Sequence, residues 1–113
     1  AAGVEVEDVA SKVKVDGQLV SGIVTLATAA SLAIKLTDKY TQAAFDGALT
    51  SGEVSVRTDS ETATVLHAAY FDGVLTLALT GTGFNTSTEN FYVKISTDDC
   101  YMKETKFTVD QTP

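Results

Sequence analysis

Few residue types in this 113-residue chain could carry out a reaction: one histidine, one cysteine and some paired acids. His67 is the sole imidazole, inside the run ATVLHAAYF from Ala63 to Phe71, and Cys100 is the sole thiol, directly after Asp98 and Asp99. A cysteine nucleophile acts as its thiolate, ordinarily formed beside a base or a cation. Two carboxylates next to the sulfur raise the thiol pKa by like-charge repulsion, the wrong direction for activation. A single histidine in a strand is far more often a packed or half-exposed strand residue than a general base. No G-x-S-x-G elbow occurs. The chain therefore reads as non-enzymatic.

The acids suit cations better than catalysis. Asp59 and Glu61 share one loop, and Asp98 and Asp99 share another. If the two loops meet at one end of a β-fold, their carboxylates could hold Ca²⁺ with the weak affinity of extracellular modules. No other cofactor is expected, because no CxxC pair or Cys/His cluster is present to bind zinc or iron–sulfur. Tyrosines offer a different chemistry. Tyr70 and Tyr92 fall out of phase with the apolar residues beside them and could stack a sugar or a small apolar ligand, although tryptophan is absent.

Eight basic residues against fifteen acidic ones give a net charge of −7. That sign repels phosphate backbones and anionic lipid, so nucleic acid is not an expected partner. The most apolar stretch, IVTLATAASLAIKL, is interrupted by Thr25, Thr28, Ser31 and Lys35, so no membrane insertion is expected. A start at Ala-Ala-Gly is what a cleaved precursor leaves, which makes a secreted or extracellular-surface location the expectation. Asn85-Thr86-Ser87 fits the N-glycosylation pattern. Cys100 has no partner within the chain for a disulfide, so any bridge would join two chains.

The elements that must position these groups are strands. Apolar and polar residues alternate through Lys12–Val15, Leu32–Leu36, Val54–Arg57, Leu75–Thr80 and Phe91–Ser96, and Phe107 and Val109 close the series. Ala27–Ala33 could instead form a turn or two of helix. VDGQLVSG from Val15, FDGALTSG from Phe45 and FDGVLTLA from Phe71 echo one another. Asp-Gly between alternating runs signals a type I′ hairpin turn, which requires positive φ at both central residues. No carboxylate stands two or four residues upstream of any of the three, so they are turns rather than calcium loops. The expected layout has turns at Asp16-Gly17, Asp46-Gly47 and Asp72-Gly73, a strand over Tyr40–Phe45, and loops at Thr58–Glu61, Thr80–Asn90 and Asp98-Asp99.

Eight or nine short strands joined by hairpins predict a single all-β domain over residues 1–113, an antiparallel β-sandwich, with a partly closed β-barrel as the alternative. The rhythm resembles small secreted sandwich modules of the Ig-like, adhesin and pilus-type kinds, a likeness of composition that carries no function. Gly3–Glu7 alternates cleanly, so residues 1–8 are expected as an edge strand or one donated to a neighbour, with Val4 and Val6 to fill alternate pockets. The leading expectation is thus a secreted structural or adhesive protein that associates with itself or another surface protein, as a filament, pilus-like or virion component. The alternative is a carbohydrate- or small-ligand-binding module, calcium-assisted.

Overall fold

The structure, a computed structural model, describes residues 13–47, 49, 51–97 and 100–111. Among the described residues seven strands follow one another: β1 (Val13–Leu26), β2 (Ala29–Asp38), β3 (Val54–Arg57), β4 (Thr62–Phe71), β5 (Val74–Thr80), β6 (Thr88–Ser96) and β7 (Cys100–Asp110). A 3₁₀ turn, Ser51–Glu53, precedes β3. The strands close in the order β1-β2-β5-β4-β3-β6-β7 and back to β1.

Alternation decides which side chains meet inside. Leu32 pairs with Leu77 and Ile34 with Leu75 across β2 and β5, Val56 with Val93 across β3 and β6, and Phe91 with Phe107 across β6 and β7. All eight are buried. They belong to one core cluster that also takes in Phe45, Leu49, Phe84, Cys100 and Met102. Phe84, from the connection between β5 and β6, plugs one end of the barrel, with its ring edge-on to Phe91 at 5.5 Å and its N–H donating to the Ala27 carbonyl at 2.9 Å. Truncating a fully buried ring such as Phe91 to alanine costs about 3–5 kcal/mol.

The sandwich expectation is corrected to a closed seven-stranded barrel, and the partly closed barrel was the nearer description. The difference lies at two corners. β4 pairs with β3 through Thr62 and Ala63 only, then with β5 from Thr64 to Phe71. β1 pairs with β7, in parallel, through Val13 and Lys14 only, then with β2 from Val15 onward. Two sheets, β1-β2-β5-β4 and β3-β6-β7, are thus welded into a barrel by two-residue ladders. Period-two alternation says that one face is buried, a condition both architectures satisfy, so it does not choose between them.

The hairpin assignment also needs correction. Only Asp72-Gly73 is the expected turn, with φ of 53° and 81°, joining β4 to β5. Asp16-Gly17 lies within β1, opposite Thr37 and Leu36, and the β1–β2 reversal falls at Ala27-Thr28 instead. Gly17 serves close packing: a Cβ there would lie 2.9 Å from both Met102 Sδ and Phe107 Cζ. Asp46-Gly47 sits in the connection between β2 and β3. The chain reverses there at Asp38–Gln42, across the first half of the strand expected over Tyr40–Phe45. Asp38 Oδ1 accepts from the Tyr40 and Thr41 N–H groups at 2.8 and 3.1 Å, the Gln42 N–H donates to the Asp38 carbonyl, and Gln42 takes a φ of 67°. Residues 27–33 are turn and strand, not helix.

Candidate functional site

The two sheets present different outer surfaces. On β3-β6-β7 the outward side chains form a laced polar strip. The Arg57 guanidinium donates through Nε and Nη2 to the two oxygens of Glu104, at 3.0 and 2.8 Å, and lies 4.1 Å from the Tyr92 ring centroid. The Tyr92 hydroxyl donates to Asp59 Oδ1 at 2.7 Å, Asn90 Nδ2 donates to Asp59 Oδ2 at 3.0 Å, and Thr108 Oγ1 donates to Asn90 Oδ1 at 2.7 Å. Register explains the chain of contacts, since Arg57 stands opposite Tyr92 and Asn90 opposite Thr108. The hydrogen bond from Tyr92, then that from Asn90, holds the Asp59 carboxyl below its usual range, and the same Tyr92–Asp59 bond pushes the phenol up. The bond to Arg57 likewise lowers Glu104.

These contacts define what the residues expected to bind ligands are doing. One face of the Tyr92 ring is covered by Arg57 and its hydroxyl is committed to Asp59. Tyr70 packs on Phe45 with centroids 5.7 Å apart, and its hydroxyl donates to the Phe45 carbonyl at 2.6 Å, which fastens the β2–β3 connection to β4. Burial raises its phenol pKa. Tyr70 and Tyr92 lie on different sheets and are not brought together. Asp59 faces Tyr92 and Asn90, whereas Glu61 accepts from the Thr82 hydroxyl, so the two acids of one loop serve different neighbours. Asp98, Asp99, Val4 and Val6 lie outside the described residues. Among the described residues, no three His, Cys, Asp or Glu side chains converge on a point where a metal could sit. His67 points outward and is exposed, while Cys100 is buried in the core.

The surface that sequence reading missed is the outside of β1-β2-β5-β4. Its register lines up four rows: Leu26, Ala29, Thr80 and Thr64; Ile23, Ser31, Ala78 and His67; Ser21, Ala33, Thr76 and Ala69; Gln18, Lys35, Val74 and Phe71. Sixteen positions carry one formally charged side chain, Lys35, in a chain with twenty-three acidic and basic residues. The floor, on β2 and β5, is mostly Ala, Ser and Thr. The margins are taller. Val20, Ile23 and Leu26 on β1 and Leu66 and Phe71 on β4 are the large apolar side chains exposed there, Phe71 at 83% and Leu66 at 63%.

Two of those margin residues owe their exposure to bulges. The β1–β2 register shifts between Leu19 and Ser21, and the β4–β5 register shifts between Val65 and His67. In each case the extra residue, Val20 or Leu66, leaves the alternation and stands in water. A shallow recess of about 200 Å³, lined by Ser21, Gly22, Ile23, Ser31, Ala33 and Thr76, indents the same surface between β1, β2 and β5. The signal legible beforehand was the shortage of charge in TLALT and AASLAI, but without register these segments could not be placed side by side.

No family model matches the chain, and no curated protein matches it. Among solved structures, a conjugative transposon lipoprotein from Bacteroides eggerthii DSM 20697 is similar over 85% of this chain and 94% of that one, at 18% sequence identity and a TM-score of 0.35. A likeness at that level carries no argument, so what the chain does has to be read from its own surfaces.

Proposed function

We propose that the protein is a non-enzymatic structural module that docks on another protein surface through the outer face of β1-β2-β5-β4. The observation that supports this reading is the concentration of exposed Ile23, Leu26, Leu66 and Phe71 around a floor almost without charge. Outward positions of a solvated sheet normally carry polar and charged residues, and large apolar side chains gathered on a face with almost no charge, on an otherwise acidic molecule, favour an interaction surface. The small floor residues let a second backbone approach closely, and the apolar margins supply the area removed from water.

The polar strip on the opposite sheet favours a ligand-binding reading less. A sugar could stack on the covered face of Tyr92 only after Arg57 left the ring, and Arg57 is held there by Glu104.

A photo-crosslinking residue at Thr76, on the docking face, and another at Lys94, on the far sheet, test the reading in the cells that produce the protein. Covalent protein adducts are expected from position 76 and not from position 94. Equal adducts from both positions, or none from position 76, would remove it.

A further inference from the structure

We propose that the partner on this face is a second copy of the same chain, related by a two-fold axis, with Leu66 of each copy seated in the recess between β1, β2 and β5 of the other. This rests on the docking role inferred above and adds the partner and its anchor. The knob and the hole are both on one face. Leu66 stands out from β4 at a bulge, 63% exposed, and the recess lined by Ser21, Ile23, Ser31, Ala33 and Thr76 lies across β5 from it. β4 and β2 are two strand spacings apart, about 10 Å. An axis passing between them, over β5, brings each knob onto the other copy's hole, which is the condition for an isologous pair. The recess is open and shallow, about 200 Å³, so a leucine side chain rests in it without being enclosed by it.

Charge is compatible with this occupant, and area sets how tightly it is held. Each copy carries a net charge of −7, so two copies repel over most approaches. The four rows hold Lys35 and no acid, and exposed Asp16 stands only in the next row, opposite Thr37, so on this side one acidic molecule can meet another with few carboxylates brought together. Four strands and four two-residue steps span roughly 20 by 25 Å, about 500 Å² per copy. That is below the ~800 Å² per partner of a standard interface. An interface this small belongs to the weak, transient class, and because an isologous contact closes on itself the assembly stops at two and does not grow into a filament.

Sedimentation equilibrium of the full chain, from about 1 µM to about 1 mM, covers the range in which such an interface saturates. The expected result is a monomer–dimer equilibrium with no larger species. Leu66→Ser is expected to weaken it at least tenfold with unchanged thermal unfolding, and Ala33→Gln, which fills the recess from its own wall, is expected to do the same. The second variant keeps the test open if the first misfolds. A chain that stays monomeric at the highest concentration overturns the proposal, as does dimerisation insensitive to both substitutions. A monomer that still crosslinks from position 76 to a different protein removes the self-partner and leaves the docking face; a monomer without such adducts removes both.

Discussion

Gln111 pairs with Val24 as a neighbouring strand would, its Oε1 accepting from the Val24 N–H and its Nε2 donating to the Val24 carbonyl at 3.2 Å. Nε2 also donates to the Thr86 carbonyl at 2.7 Å, and the Gln111 N–H donates to the Ser87 carbonyl at 2.6 Å. The β1–β7 ladder itself covers Val13–Cys100 and Lys14–Tyr101. Ten residues beyond Lys14 and Tyr101, just past the end of β7, one carboxamide supplies a further main-chain-like pairing across the seam. Gln111→Ala leaves a part-buried N–H and carbonyl of Val24 without this partner, so it is expected to destabilise the fold by about 1–3 kcal/mol. Gln111→Glu keeps the acceptor but turns an anion toward two carbonyls, so it should be at least as damaging. Urea unfolding measures both, and a loss below about 0.5 kcal/mol, the level of an ordinary surface substitution, would show that the seam does not depend on this side chain.

The same seam closes through side chains because β1 carries glycine where β7 needs room. A Cβ at Gly22 would lie 2.6 Å from Val109 Cγ2 and 3.1 Å from Leu32 Cδ2. Val109 is β-branched and has little rotamer freedom with which to yield. Gly22→Ala is therefore expected to cost roughly 1–3 kcal/mol, as overpacking does. Adding Val109→Ala should recover part of that loss, giving a favourable coupling in a double-mutant cycle. Additive costs would place the origin of the effect elsewhere, in backbone conformation and not in the contact.

Glycine roles also show where sequence reading stopped. The alternation that placed Leu32, Ile34, Leu75, Leu77, Phe91, Val93 and Ile95 inside was legible because burial on one face imposes period two. Asp16-Gly17 and Asp72-Gly73 look alike in sequence, yet one lies within a strand and the other is a turn, because partner registry rather than local propensity decides between them. Bulges were equally hidden: the apolar run Val65-Leu66 gives no sign that one residue turns in and the next stands out. The contrast between the two dipeptides can be measured. Asp72→Ala places alanine at φ 53° and should cost about 1 kcal/mol, the left-handed penalty that Asp partly escapes. Asp16→Ala, on an exposed strand position, should stay within about 0.5 kcal/mol. Similar losses at both would mean that position 16 is held by something other than the β1–β2 ladder.

The polar strip makes stability depend on pH at both ends. Asp59 and Glu104 have folded pKa values lowered from 3.8 and 4.5, chiefly by the hydrogen bonds from Tyr92 and Arg57. A lowered acid binds fewer protons folded than unfolded, so its contribution is present above the unfolded value and is lost as pH falls through the folded one. Tyr92 and Tyr70 are raised from 10.0, the first mainly by its bond to Asp59 and the second by burial. Their contribution is present below 10.0 and is lost as pH rises beyond it. Thermal midpoints should therefore form a plateau that declines below about pH 4 and above about pH 10. The acids of the strip are exposed and Tyr92 is half-buried, so the slopes should be shallow and should flatten further in salt. Tyr92→Phe removes the hydrogen bond that lowers Asp59 most, and a carboxyl NMR titration should then find Asp59 shifted back toward 3.8 by more than Asn90→Ala shifts it. If Asn90→Ala produces the larger shift, the Tyr92 hydroxyl is not the group that holds Asp59 ionised.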